Sequence, residues 1–405
     1  MTIKVGVGKS NVKNAIEAGQ IAARQAMREA DVITCSFVYL FATTGYDQHL
    51  LLEGVRSVTG DAPLSGCSSG GIITQEGPDG EIMFPLSGTA TGSEAVGVMV
   101  LYSDDVTFSN GIQQGVQENP SAVGKKIAED INAGCPEGTH FLQLFPDGFL
   151  TNVHALFTSL EQSLTSPLPF IGGASGHNLT QSTRTYQYFN AEVHSNAVAY
   201  VWVSGEVNYL MEVSHGCVPI GLEKKITRSE GNTVFSIEDQ PTWHFFQEYL
   251  GKDVKDLTSE SSPSVSIGIR LPEELVGDYD EYIIRAPYLL NEDNSVVFAD
   301  TIPEGTHIQL VRRDEDRITQ STARLAQRLK ERLQGKKPLA ILQFDCAGRG
   351  KMFFGDQVKE KGIDVIQDVL GKDIPWLGFY CFGEIAPIRN HNYYHNHTVA
   401  LCVLY

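Results

Sequence analysis

Two stretches near the C-terminal end of the chain hold the residue types from which a site could be built. Phe344-Asp345-Cys346-Ala347-Gly348-Arg349-Gly350 sets a carboxylate, a thiol and a guanidinium close together, and Glu384 ends an apolar, aromatic run that begins at Ile374. A carboxylate among aromatics is costly to bury unless it is paired. Arg349 offers a rigid fork of donors, so an Arg349–Glu384 pair is the expected solution. One reading makes it a structural ion pair. The other turns one or both toward a ligand between Gly378 and Gly383, where missing side chains admit a molecule close to backbone. Cys346 becomes a nucleophile if a histidine or Arg349 lowers its pKa; otherwise it is a small buried hydrophobe. Just downstream, His391, His395 and His397 share one face of a strand by parity. Imidazoles so placed could bind zinc or serve as an axial haem ligand, or hydrogen-bond in a polar hairpin. Cys135-Pro136 could offer haem a thiolate, or simply mark a loop.

Two other motifs fail on context. Gly6-Val7-Gly8-Lys9-Ser10 resembles the end of a phosphate-binding loop, but Ile3 stands where the first glycine is required. It reads as a tight strand-to-helix turn with Ser10 or Asn11 as cap. Gly66-Cys67-Ser68-Ser69-Gly70 matches a nucleophile elbow in letters, but an elbow must open a helix. Ile72-Ile73-Thr74 follows instead, which is strand chemistry.

The elements that must position these residues recur. Strand 2–7, helix 12–30, strand 36–42, helix 47–57, a glycine turn at 63–71 and the strand 95–102 form one pass. A second runs through strand 106–109, helix 120–132, strand 140–145, helix 151–164, a glycine turn at 169–176 and strands 184–190 and 197–204. A third takes strand 307–312, helix 316–333, strand 339–344, helix 352–370, the 374–385 turn and strand 398–405. The closing strands AVGVMVLY, AVAYVWVS and TVALCVLY echo one another. Residues 206–306, with several strand-like pieces, one helix over 241–250 and a polar linker at 259–263, read as a degenerate fourth copy. The fold expected is α/β, with mixed β-sheets flanked by helices, built from internal repeats of a strand–helix–strand–helix–strand–strand unit. Two domains, 1–215 and 216–405, would hold two copies each.

Composition narrows the function. The 405 residues are 42% hydrophobic and carry a net charge of −18, which argues against nucleic acid and anionic membrane surfaces as partners. No secretory signal opens the chain and no apolar run reaches the length of a membrane span. Seven scattered cysteines without a CxxC pair suggest reduced thiols and a cytoplasmic location.

The order and spacing of these motifs resemble a known family. Gly66-Cys67-Ser68-Ser69-Gly70, Pro169-Phe170-Ile171-Gly172-Gly173 and His215-Gly216-Cys217-Val218-Pro219-Ile220-Gly221 resemble the N-terminal FIST domain. Phe344 to Gly350, Leu377-Gly378-Phe379, Gly383-Glu384-Ile385 and His395-Asn396-His397-Thr398 look like the C-terminal FIST domain. The resemblance spans nearly the whole chain. It implies a sensory, ligand-binding protein of signal transduction rather than an enzyme, with amino acids among the proposed ligands. In its sharper form it implies a free-standing, haem-containing nitric-oxide sensor that acts on a separate histidine kinase, with His391, His395 and His397 as candidates for the haem ligand. Trp376, Phe379 and Phe382 would line the slot and Arg349 would meet the propionates. The alternatives are a sensor in which Arg349, Cys346, Gly378, Gly383 and Glu384 bind a small amino acid or carboxylate, and a hydrolase or transferase using Cys346.

Overall fold

The first helix rests directly on the first strand, and the glycines near the N-terminus explain how. A Cβ at Gly6 or Gly8 would lie 2.1 or 2.0 Å from the carbonyl oxygens of Ala26 and Ala22. The Gly-Val-Gly run is therefore a packing surface for a helix, not a phosphate loop. In this computed structural model residues 3–81, 93–134, 138–150, 152–178, 184–250, 266–276 and 279–405 are described; Cys135 and the 259–263 linker lie outside them. Strand β1 (Ile3–Ser10) runs on through Ser10 because it pairs with a later strand along its whole length. The cap of helix α1 (Ala15–Glu29) is consequently Asn14, whose side chain accepts from Glu17 N, and not Ser10 or Asn11.

The first part of the chain continues through β2 (Phe37–Thr43), α2 (Gln48–Thr59), β3 (Leu64–Ser69), β4 (Ile72–Thr74), β5 (Gly77–Asp79) and β6 (Val96–Ser103). No helix follows Ser68, as expected. The second part holds β7 (Val106–Gln114), α3 (Pro120–Gly134), β8 (Thr139–Pro146), α4 (Val153–Ser163), β9 (Phe170–Gly173), β10 (Gln187–Phe189), β11 (Glu192–His194) and β12 (Ala197–Gly205). The third opens with β13 (Tyr209–Ser214). An insertion follows, whose described residues form eight strands, β14 to β21, between Val218 and Arg312, with helix α5 (Thr242–Leu250) among them. Then come α6 (Glu315–Leu333), β22 (Ala340–Cys346), α7 (Lys351–Phe354), α8 (Val365–Leu370), β23 (Trp376–Cys381), β24 (Glu384–Ile388), β25 (His391–His395) and β26 (Val399–Leu404).

Two expectations are corrected here. Among the described residues, the region read as a fourth copy pairs its strands antiparallel, without the parallel strand–helix–strand crossing of the other parts. It interrupts the third part, whose opening strand is β13 and not 307–312. The helix expected over 352–370 is broken, because Gly355 takes φ 58° and residues Lys359–Asp364 form a π-helical turn.

Three of the four sheets share one order: β1-β6-β2-β3-β10-β11, β7-β12-β8-β9-β24-β25 and β13-β26-β22-β23-β4-β5. In each, the last two strands are a hairpin lent by another part of the chain. The first part lends to the third sheet, the second to the first sheet, and the third to the second. One glycine per sheet permits this junction. A Cβ at Gly66, Gly172 or Gly378 would come within 1.8, 2.1 or 2.2 Å of the carbonyl oxygen of Leu40, Leu144 or Gln343 on the neighbouring parallel strand. The ring is closed at its end by backbone bonds from Gly70 N to Tyr380 O, Phe382 N to Ala174 O and Gly176 N to Ser68 O.

The inner faces of the three sheets meet in a common core. Phe41, Phe145 and Phe344 stand at matching register positions of β2, β8 and β22, with ring centroids 5.5 Å (Phe41–Phe145) and 6.1 Å (Phe145–Phe344) apart. Each such ring contributes about 1.5 to 3 kcal/mol by leaving water. The outer faces are covered by α1 and α2, by α3 and α4, and by α6 to α8. The architecture is mixed α/β, with mixed sheets flanked by helices.

Candidate functional site

At the end of β22 the chain curls into a short 3₁₀ turn, Ala347–Arg349, which swings the Arg349 side chain back over its own strand. There Arg349 Nε donates to Asp345 Oδ1 at 2.8 Å. Its terminal nitrogens reach the His215 carbonyl at 3.2 Å and Thr322 Oγ1 at 3.0 Å. Arg349 is buried and its partner is Asp345. The pairing with Glu384 expected from the sequence does not form, because the turn delivers the guanidinium to the nearer acid.

Glu384 is fully buried and takes different donors. Its Oε2 accepts from Thr398 N at 3.0 Å and Thr398 Oγ1 at 2.8 Å, and its Oε1 lies 3.3 Å from Cys381 Sγ. Burial pushes its pKa up to about 8, against the pull of the Thr398 bonds, so at neutral pH it is largely protonated. Glu81, which accepts from Lys351 N at 2.6 Å, is likewise raised to about 8 by burial. Burial also raises Asp345, with Arg349 opposing. Three carboxyl groups thus converge on one end of the third sheet.

Cys346 Sγ lies 3.9 Å from His397 Nδ1. Burial holds the thiol well above its usual value and the imidazole well below its own. The pair is a neutral thiol beside a neutral ring, the reverse of an activated nucleophile. The expected glycine slot is filled by protein: the space at Gly378 belongs to Gln343, and a Cβ at Gly383 would meet Tyr394 Oη at 1.8 Å. Cys346, Arg349 and Glu384 therefore come together in one buried network, while Gly378 and Gly383 serve close packing.

The histidines separate. His391 is exposed at the start of β25. His395 is fully buried, with Nε2 3.1 Å from the Ala386 carbonyl and Nδ1 3.2 Å from Tyr279 Oη. Its pKa falls to about 3 through burial. His397 lies beyond the strand at φ 56°, which breaks the parity, and its Nε2 is 3.1 Å from Ser266 Oγ. Trp376 and Phe379 are fully buried in separate cores on opposite faces of β23, and the Trp376 indole N–H donates to Gln343 Oε1 at 2.9 Å. Both buried histidines have both ring nitrogens engaged and the aromatics form no common slot, so these residues do not fit haem as here arranged. Among the described residues no cluster of histidine, cysteine and carboxylate groups could hold a metal ion.

Several members of the network escaped the sequence reading. The insertion supplies Asp280, which accepts from His215 N at 2.8 Å and Gly216 N at 3.2 Å. Burial alone would raise Asp280, but the nearby His215 ring and these donors hold it at about 2. The insertion also docks Arg285, which donates to the Tyr394 carbonyl and to Asp300, both at 2.8 Å. Isolated acids in a divergent segment carry no sequence signal of this role. Thr398, beside the histidines, was legible only as the start of a strand.

Next to the network lies a cavity of about 680 Å³ between β13 and the β24–β25 hairpin. Tyr279 belongs to both: it lines the cavity and bonds to His395.

Residues 36–240 match the FIST N domain and residues 243–387 the FIST C domain. A Mycobacterium tuberculosis (strain H37Rv) protein described as uncharacterized is 26% identical over 422 residues, covering 99% of each chain. A Methanocaldococcus jannaschii protein, also described as uncharacterized, is 22% identical over 377 residues, covering 84% of this chain and 64% of that one. A chorismatase crystal structure covers 100% of this chain at 9% identity and a TM-score of 0.35, a likeness that carries no argument.

Proposed function

Because the chain belongs to the FIST family, whose domains are sensory domains in signalling, we propose that it binds a small ligand at the third sheet end and acts by binding rather than catalysis. Its state would pass to a separate signalling protein, such as a histidine kinase, in the cytoplasm. Among the described residues no helix is long and apolar enough to cross a membrane.

The observation that carries this reading is internal to the molecule. Register aligns Glu384 of the third hairpin with Ile72 and Gln187 of the other two. At the matching register position where each closing strand begins stand Thr398, Ala95 and Ala197 in the same order. The fold is thus satisfied by a pair without an ionisable group at two of three equivalent places. At the third it carries a buried carboxyl group, hydrogen-bonded to threonine and beside an Asp–Arg pair. Such departures from local consistency mark functional sites.

A small amino acid or carboxylate is the ligand class favoured, and a thermal-shift screen tests it. A ligand at one hundred times its dissociation constant adds about 2.7 kcal/mol; a screen of amino acids and small carboxylates in which none stabilises the protein would overturn this reading. The finer reading, a haem-dependent nitric-oxide sensor, has no such support from the histidines. An absorption spectrum without a Soret band after haem loading would remove it. The thiol-enzyme reading requires Cys346 to alkylate faster than the other cysteines, whereas the buried neutral thiol predicts that it does not.

A further inference from the structure

The three lent hairpins differ in length in a way the buried network does not explain. Strands β4, β5, β10 and β11 have three residues each, whereas β24 and β25 have five. The additional arm of the third hairpin, Pro387 to Asn390, forms one wall of the 680 Å³ cavity. Arg389 sits at its turn with φ 53°, a left-handed conformation that a long side chain seldom adopts.

The cavity has the make-up of a ligand site: an apolar floor with a few polar groups, within the size range of small-molecule pockets. Met211, Leu275 and Ile388 supply the floor. The charges sit on the wall. Glu212 is already held by Arg332 at 2.5 Å and, from behind, by Arg328 at 3.1 Å. Glu161 accepts from Asn392 Nδ2 at 2.9 Å. The Arg389 guanidinium donates to the backbone carbonyl of Glu274, which leaves its other donors for an incoming group. Among the lining residues Arg332 and Arg389 equal Glu161 and Glu212 in number. Arg332 is taken by Glu212, which leaves Arg389 as the lining cation with no carboxylate partner among the described residues.

We infer that this cavity binds a monocarboxylate with an apolar body, its carboxylate held by Arg389 and its body lying against Met211, Leu275 and Ile388. The inference deepens the sensor reading and rests on it for a signalling role, but binding itself is tested independently. A guanidinium recognises a carboxylate by paired, charge-assisted hydrogen bonds. The apolar floor favours a phenyl or branched alkyl group over a small polar one.

The test is calorimetric titration of the full chain with phenylacetate, L-phenylalanine, phenethylamine and phenylacetamide. Phenylacetate should bind, and phenylacetamide and phenethylamine should bind at least about tenfold more weakly. Arg389→Gly, which also relieves the left-handed turn, should weaken phenylacetate by about tenfold or more while raising or leaving unchanged the melting temperature. Leu164→Trp, which fills the half-buried rim, should abolish binding. Phenylacetate that binds equally to wild type and to both variants overturns the cavity assignment while leaving the sensor reading intact. Equal binding of the amine and the acid overturns the carboxylate assignment, and binding of L-phenylalanine alone overturns the monocarboxylate class in favour of an amino acid. If all four probes fail here while the amino-acid and carboxylate screen succeeds, the cavity inference alone falls; if both fail, the sensor reading falls with it.

Discussion

The first and third lent hairpins occupy equivalent places, yet one ends in Ile72 packed near Ala95 and the other in Glu384 bonded to Thr398. The difference teaches that the junction itself needs only a glycine and a side chain that fits. The carboxyl group at the third junction is an addition to the architecture, not a requirement of it. The strongest way to break this comparison is to orphan the Asp345 carboxylate beside it. Arg349→Ala would leave Asp345 buried without its cation and should cost about 3 to 5 kcal/mol in denaturant unfolding. A double variant, Asp345→Asn with Arg349→Met, should cost much less. Equal losses in the two variants would show that the guanidinium acts by packing alone.

The shared part of the junction gives the next largest effect. Alanine at Gly66, Gly172 or Gly378 forces a Cβ against the neighbouring strand's carbonyl. Each should therefore cost about 1 to 3 kcal/mol, and Gly66 and Gly172 more than Gly378, because their φ values of 156° and 150° also strain an alanine. A Gly378→Ala variant as stable as wild type would restore the open slot that the sequence alone suggested between Gly378 and Gly383.

Converting the third junction into the first sharpens the comparison. Glu384→Ile with Thr398→Ala should be neutral to stabilising, on the order of 1 to 2 kcal/mol at pH 8, since a buried polar pair gives way to an apolar one. The pH dependence follows from the raised pKa of Glu384. The folded state retains its proton between the ordinary value of 4.5 and about 8, while the unfolded chain has lost it. The contribution is therefore fully present below 4.5 and is lost as pH rises toward 8. Glu384→Gln should flatten part of that decline, leaving the share of Glu81, which has the same sign. An unchanged slope would mean that Glu384 is ionised in the folded protein.

Much of this was legible in the sequence, and what was not has a physical reason. The alternation of strand and helix, the strand chemistry after Ser68 and the meeting of Cys346, Arg349 and Glu384 at one sheet end follow from local pattern. The partner of Arg349 did not, because a single 3₁₀ turn decides whether the guanidinium reaches Asp345 or the next strand. The shared face of His391, His395 and His397 failed for a similar reason, one left-handed residue at His397. The exchange of hairpins is a long-range pairing and leaves no mark in any one segment. Nor does the role of Asp280 and Tyr279, which reach the site from an insertion whose sequence shows strands, one helix and a polar linker but no site motif.

That insertion changes one more equivalence, and here the expected effect is smallest. The residue facing Ile72, Gln187 or Glu384 across its hairpin is Asp79, His194 or His395. Asp79 accepts from Lys9 of β1 at 2.7 Å, and His194 Nδ1 lies 2.7 Å from Gln114 Nε2 of β7. In both cases the hairpin docks on the opening strand of its own part. His395 instead meets Tyr279 of the insertion. Since His395 Nε2 faces the Ala386 carbonyl, that nitrogen carries the ring proton, and Nδ1 must accept from the tyrosine hydroxyl. Tyr279→Phe should leave the buried acceptor unpaired and cost about 1 to 2 kcal/mol, against a few tenths for Gln114→Ala at a more exposed contact. The ¹⁵N shift of His395 Nδ1 should move toward that of a free imidazole nitrogen in Tyr279→Phe and stay fixed in Gln114→Ala. Because Tyr279 also lines the cavity, the same resonance should respond when the cavity is filled. A His395 signal indifferent to both substitution and ligand would show that the third hairpin is held as passively as the other two.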